Sequence, residues 1–542
     1  MCMEVDYREC NRCGAKIEES VIDECYSICP ICDNYLRYYA QKRINSITDN
    51  NSFREWEKSE ERIDLQDDNE YLTKLNIAKR KCNLKEAVIT GSAKIGGVKV
   101  AIGVMDTRFM MASMGHQVGE MITDLFERAK IKHLPVVLFC CSGGARMQEG
   151  IISLMQMEKT AAAVKRYKNS NLLYISILTE PTMGGVLASF ATLADIILAE
   201  KGAMIGFAGP RVIEQNTGEK IAKDVQTSES FLQNGFIDEI VTRQGMREYI
   251  INLLELFCKK KVKINKGLHF KYKTKKCVRN IKYNNWDIVQ IARSYKRPTS
   301  KEYIYRIFDN FVELHGDRLY GDDPTIMAGI AKFHDIPITV IGQQKGKKSM
   351  EEILYYNRGM TSPSGYRKAL RIMKQAEKFQ RPIVCFVDTV GAACDAKAEG
   401  QGQAYVIADI LSEISAVDIP VLSIIIGEGN SGGALALGVA NEVWMLENSV
   451  YSILSPEGYA SILWKDGSKG KEAAENMKMC SYDLLSMGII DKVIPENEPV
   501  TIDNMSSICQ QLDNDILGFL RRYINKSKKD IVKSRNERFR KY

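Results

Sequence analysis

Two local patterns in this 542-residue chain could do chemistry. The first is Cys10-x2-Cys13 followed by Cys29-x2-Cys32, two thiol pairs separated by fifteen residues. That spacing suits a four-sulfur zinc ribbon, in which two turns close a tetrahedron around the metal, and turn formers such as Gly14, Pro30 and Asn34 flank both pairs. With every position filled by sulfur the metal has no open site, so its expected role is structural. Cys25 falls off the spacing. Fifteen cysteines, an odd count in a long chain, point to free thiols and metal ligation rather than to a disulfide scaffold.

The second pattern is a pair of glycine-rich turns after apolar strands, Ser142-Gly143-Gly144-Ala145-Arg146 and Gly429-Asn430-Ser431-Gly432-Gly433-Ala434. A strand that ends in consecutive glycines before a helix leaves backbone N–H groups uncovered and aimed past the helix N-terminus, where an oxyanion can sit. Neither turn continues into Gly-Lys-Ser/Thr, so a nucleotide-phosphate loop is disfavoured. The five histidines (His116, His133, His269, His315, His334) share no triad or metal spacing. Glu149, Asp388 and Glu399 lie near the turns, where carboxylates commonly cap helices. Two oxyanion sites without a side-chain base suit a reaction in which charge develops on two substrate carbonyls while the proton goes elsewhere.

Alternating strand and helix patterns must position these turns. Strands are expected at Val98–Val104, Leu134–Cys141 and Leu172–Leu178 with a helix over Gln148–Lys165. After a connector the texture resumes, with strands at Ile336–Ile341, Ile383–Val387 and Val421–Ile426 and helices around Tyr366–Phe379 and Gln403–Ile414. This alternation predicts an α/β layer structure. Pro135 and Pro382 lie 247 residues apart, while Gly143 and Gly391, Gly185 and Gly433, and Ile205 and Ile453 each lie 248 apart. One fold used twice accounts for that steadiness, and it predicts two similar halves about a pseudo-twofold axis with their amide cradles sharing a cleft.

The expected domains are 1–40, the ribbon; 41–70, a charged linker; 71–255, the first α/β domain; 256–285, a basic linker; 286–500, the second; and 501–542, a helical basic tail. At 45% apolar and 26% charged the composition is that of folded globular domains. No apolar run is long enough to span a membrane, and the charged N-terminus does not read as a secretion signal, so a cytoplasmic location is expected. The net charge of +7 resides in the connector: 259–282 holds eleven Lys or Arg and no acid, leaving the remainder at −4. Such a connector reads as a solvated linker that could still attract a polyanion.

At these motifs the chain resembles the carboxyltransferase component of bacterial acetyl-CoA carboxylase, with the β subunit fused ahead of the α subunit. The first half is similar through the ribbon, Cys140-Cys141-Ser142-Gly143-Gly144-Ala145-Arg146-Met147-Gln148-Glu149, Thr179-Glu180-Pro181-Thr182-Met183-Gly184-Gly185-Val186, and the run from Gly206 to Gln215. The second is similar through Glu313-Leu314-His315-Gly316-Asp317-Arg318, Gln344-Lys345-Gly346, Gly365-Tyr366-Arg367-Lys368-Ala369, the run from Gly427 to Ala434, and Ser455-Pro456-Glu457-Gly458. The likeness covers 7–245 and 286–495.

The resemblance implies two tandem crotonase-like (ClpP/crotonase) domains and transfer of a carboxyl group from carboxybiotin, on a biotin carboxyl carrier protein, to acetyl-CoA, giving malonyl-CoA for fatty acid biosynthesis. It implies that Gly143, Gly144 and Ala145 hold the thioester oxygen and that Gly432, Gly433 and Ala434 hold the biotin ureido oxygen. Arg146, Gly184, Gly185, Gly206, Lys345 and Gly391 would contact substrate. Lys345, Lys347, Lys348, Arg358 and Arg146 are cations available to CoA phosphates, against a plain solvated role for any one of them. Implied partners are the carrier protein, a separate biotin carboxylase that does the ATP chemistry, and a second copy of the fused chain. The sequence departs from the family pattern Asp-Thr-Pro-Gly-Ala-Tyr-Pro-Gly at Asp388-Thr389-Val390-Gly391-Ala392-Ala393-Cys394-Asp395, and from Glu-Glu-Arg-Gly-Gln at Glu399-Gly400-Gln401-Gly402-Gln403.

Three alternatives stay open at this level. A crotonase-type hydratase or isomerase would need a facing pair of acid–base carboxylates and no ribbon. A biotin-dependent decarboxylase would run the same chemistry in reverse, or another acyl-CoA would replace acetyl-CoA. Nucleic-acid binding through the ribbon and basic connector would show as affinity that falls steeply with salt.

Overall fold

A computed structural model describes residues 6–56, 69–218, 220–222, 224–258, 283–347 and 349–542. It divides into two compact units, Met1–Cys258 and Lys259–Tyr542. In the first unit the strands lie in the spatial order Glu239–Val241, Ile196–Glu200, Tyr174–Met183, Val136–Ser142, Val98–Met105, Val88–Ile95 and Arg54–Glu55. Pairing is parallel from Glu239–Val241 through Val98–Met105 and antiparallel beyond, and Ile205–Gly206 pairs with the end of Tyr174–Met183. Val136–Ser142 is buried at all seven positions, the uninterrupted apolar run expected of a strand covered on both faces. Helices His116–Ile131 and Ile151–Lys168 pack against each other beside this sheet.

The second unit repeats this plan. Its strands lie in the order Asp309–Glu313, Ile326–Phe333, Ile336–Gln343, Ile383–Thr389, Val421–Asn430, Glu442–Leu446 and Lys492–Ile494, with Val450–Ser452 pairing on the end of Val421–Asn430. Helices Pro363–Lys378 and Gln403–Ala416 take the places of the first unit's pair. Strands Val136–Ser142 and Tyr174–Met183 and helix His116–Ile131 match Ile383–Thr389, Val421–Asn430 and Pro363–Lys378 end for end at 247 residues. This corrects the offset of 248: Gly391 is the counterpart of Gly144, and Gly432 that of Gly185. Matching neighbouring glycines by identity shifts the register by one, because the fold repeats backbone conformation rather than residue type.

The stretch 41–70 is not a linker over its first part. Helix Ala40–Ile47 buries Ala40, Arg43, Ile44 and Ile47, and Arg54–Glu55 extends the sheet edge. Two apolar residues spaced for one helix face suffice, although charges surround them. Residues 57–68 and most of the basic connector, 259–282, lie outside the described residues. The tail is helical as expected, with Ser506–Tyr523 and Lys528–Phe539, and Arg535 is buried within it. Its guanidinium donates to the carbonyls of Ile414, Val417 and Ile419, at the C-terminal end of helix Gln403–Ala416. No helix among the described residues is long and apolar enough to cross a membrane.

Candidate functional site

The sequence Ser-Gly-Gly-Ala sets the first turn. Strand Val136–Ser142 loses register with its neighbour between Cys140 and Ser142, and the chain then swings through Gly144 at φ +123°. Only glycine takes that backbone without strain. The Gly144 N–H donates to Ser142 Oγ at 2.9 Å, while the same hydroxyl donates to the Gly144 carbonyl at 3.0 Å. Gly143 N–H donates to the Met111 carbonyl at 2.8 Å, and Arg146 N–H to that of Met114 at 2.9 Å. Gly143 and Gly144 therefore spend their amides inside the protein. Among the described residues, the Ala145 N–H has no such partner, and it is the turn's available donor.

A second glycine turn abuts the first. Gly184, at φ +58°, begins the short helix Gly184–Leu187, and a methyl group on it would lie 3.0 Å from Gly144 Cα. That helix has no capping side chain, so its opening amides, including Gly185, lack intrahelical acceptors. Gly206 pairs with Met183 and is packed against the Gln226 side chain, which places it at the edge of the same turn. The structure thus brings Gly144, Ala145, Gly184, Gly185 and Gly206 together.

In the second unit Thr389 Oγ1 plays the part of Ser142: Gly391, at φ +140°, donates its N–H to that hydroxyl at 3.1 Å, and the hydroxyl donates to the Gly391 carbonyl at 2.9 Å. The helix opened by Ser431, at φ +62°, also has no capping side chain, which leaves the first-turn amides of Gly432 and Gly433 without intrahelical acceptors. Gln343 Nε2 donates to the Gly433 carbonyl at 2.9 Å. Both turns rest on a short left-handed stretch, Met110–Ala112 in the first unit and Asn357–Gly359 in the second. Each unit therefore builds its cradle from two turns. The sequence singled out the leading turn of one unit and the trailing turn of the other.

Two cations expected to contact substrate are buried instead. Arg146, 1% exposed, donates to Glu86 through both terminal nitrogens, at 2.7 and 3.1 Å, and to the Ser113 carbonyl. Burial disfavours its charge, but Glu86 outweighs this and raises its pKa. Lys345, 7% exposed, lies 2.6 Å from Asp388 Oδ1 and 3.2 Å from Glu428 Oε2; these carboxylates likewise overcome burial and raise its pKa. Lys347 donates to the Arg297 carbonyl, and burial lowers it to about 8. Placed this way, Arg146 and Lys345 are engaged by carboxylates and Lys347 by a carbonyl of their own units. Lys348 lies outside the described residues, and Arg358 is exposed. Glu149 accepts the His116 N–H and the Tyr71 hydroxyl, a helix-start role, whereas Asp388 accepts the Glu428 N–H between two strand ends.

Cys10, Cys13, Cys29 and Cys32 place their sulfurs within 4.8 Å of one another, with Cys10 to Cys32 at 3.6 Å and Cys13 to Cys29 at 3.8 Å. Tetrahedral ligation at ~2.3 Å requires sulfurs about 3.8 Å apart, so the set fits a metal. Backbone N–H groups of Cys13 and Arg12 facing Cys10 lower its pKa to about 6, toward the ligating thiolate. Asn34 also donates to that sulfur.

Comparison with known proteins adds lineage to this geometry. The family description "Acetyl co-enzyme A carboxylase carboxyltransferase-like" matches residues 244–542. The acetyl-coenzyme A carboxylase carboxyl transferase subunits beta/alpha of Natranaerobius thermophilus is 46% identical over 98% of this chain and 91% of its own length. The like-named protein of Clostridium tetani is 45% identical over 98% and 92%. Among solved structures, transcarboxylase 12S superposes with a TM-score of 0.71 at 21% identity, covering 90% of each chain. A single-chain long-chain acyl-CoA carboxylase gives 0.65 at 15% identity, covering 85% of this chain and 45% of that one. Both likenesses show a shared mixed α/β carboxyltransferase fold.

Proposed function

Because the chain belongs to the acetyl-CoA carboxylase carboxyltransferase family, in its fused beta/alpha form, we propose that it transfers a carboxyl group from carboxybiotin to acetyl-CoA, forming malonyl-CoA for fatty acid synthesis. Its partners in this reading are a biotin carboxyl carrier protein, a separate biotin carboxylase and a second copy of the chain; four thiolates hold a structural zinc.

The observation that carries the reading is the repeated cradle. Removing a proton from the thioester methyl group gives an enolate, and loss of the carboxyl group leaves a ureido anion on biotin, so each partner presents one oxyanion. Fixed amide donors at such an oxygen are worth ~3–4 kcal/mol each. In this proposal the amides of Ala145 and Gly185 meet the thioester oxygen, and the amide of Ala392 with those of Gly432 and Gly433 meets the ureido oxygen. Gly143, Gly144, Gly391 and Ala434 shape the turns. The ureido nitrogen, left anionic as CO2 departs, takes the methyl proton, and the enolate carbon then attacks that CO2, so no protein base is needed. Purified chain should carboxylate a free biotin derivative at the expense of malonyl-CoA, with propionyl and butyryl homologues measured beside it. Failure with all three thioesters would refute the proposal.

A further inference from the structure

The ion cluster at Lys345 supports the second cradle from within its own unit. The positions equivalent to Lys345 and Asp388 in the first unit are Thr107 and Cys141, both buried and uncharged. The charge there comes from the segment that follows the cysteine cluster. Arg37, Tyr38 and Arg43 line a small gap together with Thr107, Cys141 and Thr179. Arg43 lies 2.5 Å from Glu200 and 4.9 Å from the ring centre of Phe139, on the strand that runs into the first cradle. Arg243 grips the other Glu200 oxygen at 3.0 Å and donates to the carbonyls of Ser27 and Leu36, on either side of the Cys29 to Cys32 turn.

The same segment reaches the left-handed stretch beneath the cradle. The Ala40 N–H donates to Asp106 Oδ2 at 2.9 Å, and Arg108, paired with that aspartate, stacks on Tyr39. Arg37 Nη2 approaches Met111 Sδ at 3.7 Å, and the Met111 carbonyl receives the Gly143 N–H. We propose that the four-cysteine module is a working part of the first cradle: Arg37, Ala40 and Arg43 are positioning residues that set where the Ala145 amide stands. The link to catalysis rests on the functional reading above; the mechanical link stands on these contacts alone.

Hydrogen–deuterium exchange on the full chain, loaded with zinc and then stripped with EDTA, tests the link without measuring transfer. Peptides covering 107–114 and 141–147 should exchange at least about tenfold faster after stripping, while 357–361 and 389–393 stay unchanged. Loss of protection confined to 10–34 would overturn the proposal. Should stripping unfold the whole unit, zinc-loaded Arg37→Met, altered at the surface, decides the matter. It should keep its zinc and raise exchange over 107–114 selectively, with kcat falling in the malonyl-CoA assay; unchanged exchange would overturn the proposal. If the unaltered chain shows no transfer at all, the functional reading fails and the exchange result is unaffected.

Discussion

Gly433 stands so close to Ala392 that a methyl group on its α-carbon would fall 2.6 Å from the Ala392 amide nitrogen and 2.7 Å from the Gly391 carbonyl carbon. Both are backbone atoms of the facing turn and cannot swing aside. At Gly432 the same methyl would meet nothing nearer than the Ile407 side chain, at 3.6 Å. Gly433→Ala should therefore lower kcat on the order of 100-fold or more by displacing cradle donors. Gly432→Ala should stay within about threefold, since 3.6 Å is ordinary van der Waals contact. Equal losses in the two variants, measured by malonyl-CoA-dependent biotin carboxylation, would contradict this geometry.

Lys345 neutralises two carboxylates, Asp388 and Glu428, that are themselves almost fully buried. Removing one partner of a buried ion group leaves uncompensated charge and typically costs ~3–5 kcal/mol. Lys345→Met should thus melt earlier and turn over more slowly. Adding Asp388→Asn should restore part of the loss, and an equal deficit in the single and double variants would argue against the charge account.

Arg146 holds Glu86 with two nitrogens in a fixed plane, a match that a lysine ammonium cannot reproduce. Arg146→Lys should lower kcat by about tenfold or more while the KM for malonyl-CoA moves little, since the side chain positions the turn rather than binding a phosphate. A KM effect alone would return Arg146 to the substrate-contact role.

Glu200 is enclosed by Arg43 and Arg243, which outweigh burial and hold its carboxyl at about 2. A pKa depressed in the folded state contributes stability above the unfolded value, near 4.5, that is lost as pH falls toward 2. The contribution is of order 3 kcal/mol. The first unit should accordingly lose stability between pH 4.5 and 2. In Glu200→Gln, denaturant melts across that window should be flatter and lower at neutral pH; an unchanged slope would place the acid sensitivity elsewhere.

Much of this was legible because parallel strands buried on both faces read as continuous apolar runs, and because the two Cys-x2-Cys pairs are spaced for one ion. The register of the repeat was not. Gly184 and Ser431 share one left-handed conformation but not one residue type, and Gly143 stands where Val390 stands in the other unit's turn, so glycine identity misleads by one position. Arg146 and Lys345 read as candidate ligand cations because their partners Glu86 and Glu428 lie 60 and 83 residues away in sequence. Nothing local reveals a buried ion pair of that separation. The anchoring of the four-cysteine segment through Arg243 was hidden for the same reason, with more than 200 residues between donor and acceptor.

From the left-handed stretch at Met110 to the end of the strand at Met183, the corresponding block at 357–430 keeps its length throughout, whereas the hairpins before and the strands after it sit at other offsets. Both copies have tolerated new charges and new loop residues, yet no net insertion or deletion in this block. The interval acts as a ruler, and it marks where grafts between the two halves should join: transplanting 110–183 as a piece, or crossing over at matched strand ends inside it such as Ser142 and Thr389, preserves the spacing on which both cradles depend.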